Sequence, residues 1–170
     1  MELQKRKSNR LSGFDYSASG YYFITICTAE KQKILCNIVG CGIPDAPKTS
    51  KSVGANCVRP QIILSKIGQI IKNNIDMLDK TYQTVSVDRY VIMPNHLHLI
   101  LMIDGRTQFA PTISRVIKQF KGSITKQVGI PIWQKSFYDH IIRDEKDYLR
   151  ICEYIENNPA KWTEDKYFVL

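Results

Sequence analysis

The stretch from Val85 to Ile103 constrains this chain most, because it holds two apolar runs, Val85–Met93 and His96–Ile103, parted by Pro94-Asn95. Proline and asparagine favour turn conformations, so the segment reads as two strands folded into a hairpin. Both runs fall far short of the ~20 residues that a membrane-spanning helix needs. A hairpin this apolar belongs inside a sheet that other elements cover.

The remaining elements supply the cover. Tyr21–Thr28 is rich in β-branched and aromatic residues and reads as a strand, with Lys33–Val39 as its hairpin partner. Ile63, Ile67, Ile70, Ile71, Ile75 and Leu78 recur at helical spacing. A second helix follows Pro111, capped by Thr112, with Ile113, Val116, Ile117, Phe120 and Ile124 as its apolar face. Ile132–Ile142 reads as extended, and a third helix runs from Asp144 to Asn158-Pro159, its core stripe Tyr148, Ile151, Cys152 and Ile155. The order β(β)α–ββ–α–β–α predicts an α+β, ferredoxin-like (RRM-like) split βαβ sheet with helices on one face and an extra C-terminal helix.

With 170 residues, 44% hydrophobic and 24% charged, the chain has room for one folded domain, 1–170, and is not disordered. Residues 1–19 form a basic N-terminal arm, and the Gly- and Pro-rich 40–60 stretch reads as a loop insertion. Lys and Arg outnumber Asp and Glu by 24 to 16, which favours a polyanionic partner. The five cysteines are odd in number, and Cys36, Cys41 and Cys57 lack the spacing of a zinc knuckle. With no apolar segment after the basic arm, they suit a reduced, cytoplasmic setting.

Two pairs of residues offer chemistry. His96 and His98 lie two apart in a strand, so both imidazoles project from one face and make half of a divalent-metal site. Tyr154 and Asn158 lie four apart on a helix, bringing a nucleophilic phenol and a ligating amide oxygen to one side. Asn158 also suits a plain helix C-terminus. Tyr138 and Tyr148 compete as nucleophiles, but Tyr148 falls on the core stripe and Tyr138 has no ligand four residues on.

Met93-Pro94-Asn95-His96-Leu97-His98-Leu99-Ile100 resembles the HUH motif of the IS200-like single-tyrosine transposases. Trp133–His140 and Glu153–Pro159 are similar to the branch associated with repetitive extragenic palindromes (REPs). The resemblance implies cleavage and joining of single-stranded DNA near hairpins or palindromes, with Mg²⁺ or Mn²⁺ and a covalent 5′-phosphotyrosine. By position it makes His96, His98 and Asn158 the metal ligands and Tyr154 the nucleophile, Asn158 replacing the glutamine of the insertion-sequence enzymes. It allows a monomer or a homodimer.

Lys5, Arg6, Lys7 and Arg10, with Arg115, Lys118 and Lys121 along the second helix, are the expected phosphate contacts. Trp133, Phe137 and Tyr138 are expected to stack unpaired bases. A histidine-triad hydrolase is excluded, because Ile100 stands where its third histidine would be. A non-catalytic ferredoxin-fold nucleic-acid-binding domain is the alternative, and it leaves His96, His98 and Tyr154 without a shared purpose.

Overall fold

The computed structural model describes residues 18–40, 60–105 and 111–169. Four strands form the main sheet: β1 (Gly20–Cys27), β4 (Val85–Ile92), β5 (His96–Ile103) and β6 (Tyr138–Ile142), in the order β4-β5-β1-β6. All three pairings are antiparallel. β1 and β4 therefore run parallel with β5 between them, the split βαβ arrangement expected. The hairpin forms as read, with Met93 N–H donating to His96 O at 2.8 Å across Pro94-Asn95.

Strand alternation sorts the sheet into two faces. Tyr22, Ile24 and Ile26 of β1, with Leu97, Leu99, Leu101 and Ile103 of β5, point one way. There they pack against α1 (Lys66–Asp76) and α3 (Ile113–Val128). Ile24, Leu97, Leu99 and Leu101 have no exposure, and burial of such side chains contributes about 1.5–3 kcal/mol each. The five residues predicted as the buried face of α3 are the five buried there, and the Thr112 hydroxyl caps the helix by accepting from Arg115 N–H.

Phe23 and Ile100 point to the other face, where α4 (Glu145–Asn157) lays Ile151, Cys152 and Ile155 on them together with Val91 and Met93. Asp144 caps α4 by accepting from Asp147 N–H at 2.8 Å. Tyr148 donates to Asp88 Oδ2 at 2.8 Å and Arg89 pairs with Glu156 at 2.5 Å, which ties the helix to β4.

Two expectations are corrected. The Lys33–Val39 segment does not pair with β1; its strand, β2 (Cys36–Val39), joins β3 (Gln61–Leu64) in a separate two-stranded sheet. Ile63 consequently lies in β3 and not on the helix, which starts after the Ser65 cap, and Leu78 opens a short second helix, α2 (Leu78–Thr81). α1 crosses this ribbon so closely that a methyl at Gly68 would stand 2.1 Å from the Leu35 carbonyl oxygen. Most of the basic arm, and 41–59 of the expected insertion, lie outside the described residues.

Candidate active site

His96 and His98 emerge on the α4 face of β5, opposite Cys27 and Thr25 of β1, and neither has any solvent exposure. Their Nε2 atoms stand 3.0 Å apart. Each ring is held from behind. Asn95 donates its Nδ2–H to Tyr167 O at 2.8 Å, so its Oδ1 accepts, and the partner is His96 Nδ1–H at 2.8 Å. Thr25 Oγ1 lies 2.8 Å from His98 Nδ1. The Asn95 contact thus turns the His96 Nε2 lone pair towards His98 Nε2.

Two imidazole nitrogens at that distance suit a shared cation. A proton is disfavoured, because burial pushes His96 down to about 4 and His98 well below the usual range. A divalent ion fits instead: nitrogens bound at right angles at about 2.1 Å stand about 3.0 Å apart. Oxygen donors lie close by. The Asp165 carboxylate and the two imidazoles lie within 4.8 Å of one another. Asn158 Nδ2–H donates to Asp165 Oδ2 at 2.7 Å, and Asn158 Oδ1 is buried without a partner.

Tyr154 hangs over this group from α4. Its hydroxyl donates to Asp165 Oδ2 at 3.0 Å and lies 3.3 Å from His98 Nε2. Burial, reinforced by the Asp165 charge, raises the phenol pKa well above its usual value, so the hydroxyl stays protonated until positive charge arrives. The residues after α4 close the other side. A 3₁₀ turn (Trp162–Glu164) returns the chain so that Asp165 reaches Tyr154 and the Tyr167 ring lies 4.6 Å from that of His96.

The depressed His96 pKa has a consequence for stability. Below about 6.5 the unfolded chain binds a proton that the folded site refuses, so stability is full above that pH and falls as pH drops towards 4. Metal-free protein is expected to lose about 2 kcal/mol between pH 7 and pH 5 from this residue, with His98 acting in the same direction. Urea denaturation at the two pH values checks it, and equal stabilities would refute the burial argument.

The other expected site residues are divided by the sheet. Arg115 and Lys118 are exposed on α3, across the sheet from Tyr154. Lys121 Nζ donates to Gln134 O at 2.5 Å and is partly buried. Trp133 and Phe137 pack against the α1–α3 core. Only Tyr138 of the three aromatics opens towards the site, sharing a cleft of about 510 Å³ with Phe23, His140, Arg150, Tyr154 and Lys166. Lys166 sits 5.3 Å from the Tyr138 ring centre. His140 is held by Asp147 at 2.6 Å, which also pairs with Arg150 at 2.6 Å. Lys5, Arg6, Lys7 and Arg10 lie outside the described residues.

Sequence reasoning missed Asp165, Asn95, Arg150 and Lys166. Asn95 was legible only as a turn residue. Arg150 was open to view, because it stands one helical turn before Tyr154. Asp165 and Lys166 follow Pro159, where no periodic pattern remains to place a side chain.

No family model matches the chain. An uncharacterised protein of Haemophilus influenzae is 31% identical over 98% of this chain and 95% of its own length. The REP-associated tyrosine transposase of Escherichia coli K12 is 33% identical over 55% of this chain, and the match covers 59% of that protein. A solved REP-associated tyrosine transposase bound to a REP hairpin superposes with a TM-score of 0.62 at 20% identity, covering 98% of this chain and 77% of that one. The chain therefore shares the fold of a REP-associated tyrosine transposase. Over about half its length it is similar to proteins named REP-associated tyrosine transposase. Among the described residues no helix is long and apolar enough to cross a membrane.

Proposed function

We propose that this chain cleaves and rejoins single-stranded DNA beside hairpins, forming a covalent 5′-phosphotyrosine at Tyr154. The observation that carries the reading is the Tyr154 hydroxyl 3.3 Å from His98 Nε2, which itself lies 3.0 Å from His96 Nε2. His96, His98 and an oxygen of the Asn158–Asp165 pair hold Mg²⁺ or Mn²⁺. When bound, the ion polarises a phosphate oxygen and offsets charge developing at phosphorus.

The protein's own groups do the rest. Asp165 accepts the phenol hydrogen bond and so aims the Tyr154 oxygen. The Tyr154 oxygen attacks phosphorus, the ester bond to the 3′-oxygen breaks, and the departing strand leaves with a free 3′-hydroxyl. The ester on Tyr154 conserves the bond, so another strand's 3′-hydroxyl reverses the step without ATP. Tyr138, with its exposed ring, receives an unpaired base, and Arg150 and Lys166 at the same cleft meet phosphates. The hairpin assignment rests on the hairpin-bound structural neighbour.

Labelled hairpin oligonucleotides with single-stranded flanks, incubated with Mn²⁺ or with EDTA and run on a denaturing gel, test the reading. A protein–DNA adduct with Mn²⁺ and none with EDTA is expected. Native binding of cognate DNA with no adduct would instead favour the non-catalytic binding domain.

A further inference from the structure

We propose that Asp165 supplies the third protein ligand to the divalent ion, and that Asn158 is a positioning residue that holds Asp165 in place. The inference rests on the metal-dependent reading above and chooses Asp165 over Asn158 as the oxygen donor. Three observations carry it.

The first is proximity: the carboxylate and both imidazole nitrogens lie within 4.8 Å of one another. The second is the direction of the amide. Asn158 Nδ2–H donates to Asp165 Oδ2 at 2.7 Å, so its nitrogen side faces the carboxylate. Rotating the amide to bring its oxygen there would set two acceptors against each other. The third is that Asp165 is already oriented. Tyr167 N–H donates to its Oδ1 at 2.6 Å, and the Tyr154 hydroxyl donates to its Oδ2 at 3.0 Å. A carboxylate has about four lone-pair directions, so these three donors leave room for an ion.

Charge favours the same assignment. Two neutral imidazoles and an amide leave a divalent charge uncompensated in a buried site, whereas a carboxylate neutralises half of it. One group would then touch both the ion and the nucleophile. The competing arrangement has its own support in the unpartnered Asn158 Oδ1, and the two arrangements predict opposite signs for one substitution.

Mn²⁺ titration of the full chain without DNA, followed by the loss of the free-ion electron paramagnetic resonance signal, separates them. The parent is expected to bind one Mn²⁺, and His96→Ala to bind none. Asp165→Asn should weaken binding by at least about tenfold. Asn158→Asp should bind no more tightly than the parent, because it sets two carboxylates face to face; a ligating residue 158 would instead tighten the site. Circular dichroism and melting curves establish that each variant is folded. Asp165→Asn within twofold of the parent, or any tightening in Asn158→Asp, overturns the assignment. A parent that binds no Mn²⁺, or a His96→Ala protein that binds like the parent, sinks the metal reading itself and the assignment with it.

Discussion

Tyr154→Phe protein, given hairpin DNA and Mn²⁺, is expected to form no adduct that survives denaturation. The loss should be at least about 10³-fold, the order that follows removal of a covalent nucleophile. The substitution removes one oxygen and leaves the packing. The ring keeps its edge contact with Phe23, centroids 6.1 Å apart, and its contact with His98 at 5.2 Å. Folding and Mn²⁺ binding should therefore persist, and native binding of hairpin DNA should stay within about twofold of the parent, because the phosphate contacts proposed for Arg150 and Lys166 remain. The competing tyrosines are engaged otherwise. Tyr148 donates to Asp88 on the β4 side, and the exposed ring of Tyr138 faces Lys166. A gel-shift run in parallel native and denaturing forms checks both halves, and an undiminished adduct in Tyr154→Phe would move the chemistry to another residue.

Loss of either imidazole should be as severe and should differ in kind. His96→Ala and His98→Ala are each expected to lower Mn²⁺ affinity by more than about 100-fold, beyond the 10–100-fold typical of losing a residue that merely supports a ligand. Adduct formation should fall with it. Both side chains are fully buried, yet neither anchors the main core, which lies on the opposite face of the sheet. The double variant should be scarcely worse than either single one, because ligands to one ion act as a unit. Titration of Mn²⁺ alongside adduct yield checks the pair, and an imidazole variant that loses its adduct while binding Mn²⁺ normally would contradict the ligand roles.

Much of this was legible because the informative residues lie in periodic elements. Alternation along His96–Ile103 told which side chains share a face, and the structure sends Leu97, Leu99 and Leu101 to one core and the two histidines to the other side. Helical spacing likewise put Tyr154 and Asn158 together on α4, and both reach Asp165. Ile63 was misread because it fits the start of the helical pattern as well as a strand, and only the partner strand decides. That partner, β2, lies across a long gap in sequence. Spacing could not reveal Asp165, which reaches the site through a chain reversal after Pro159. Trp133 and Phe137 have the composition of a stacking surface, but which side of the sheet they meet is a tertiary fact.

The most direct test of the account is to map the covalent bond. After reaction with Mn²⁺ and cognate hairpin DNA, nuclease trimming and proteolysis, tandem mass spectrometry should find a nucleotide joined through its 5′-phosphate to Tyr154, with a free 3′-hydroxyl on the released strand. A nucleotide on Tyr138 or Tyr148, or a 3′-phosphate linkage, would contradict the assigned nucleophile or polarity.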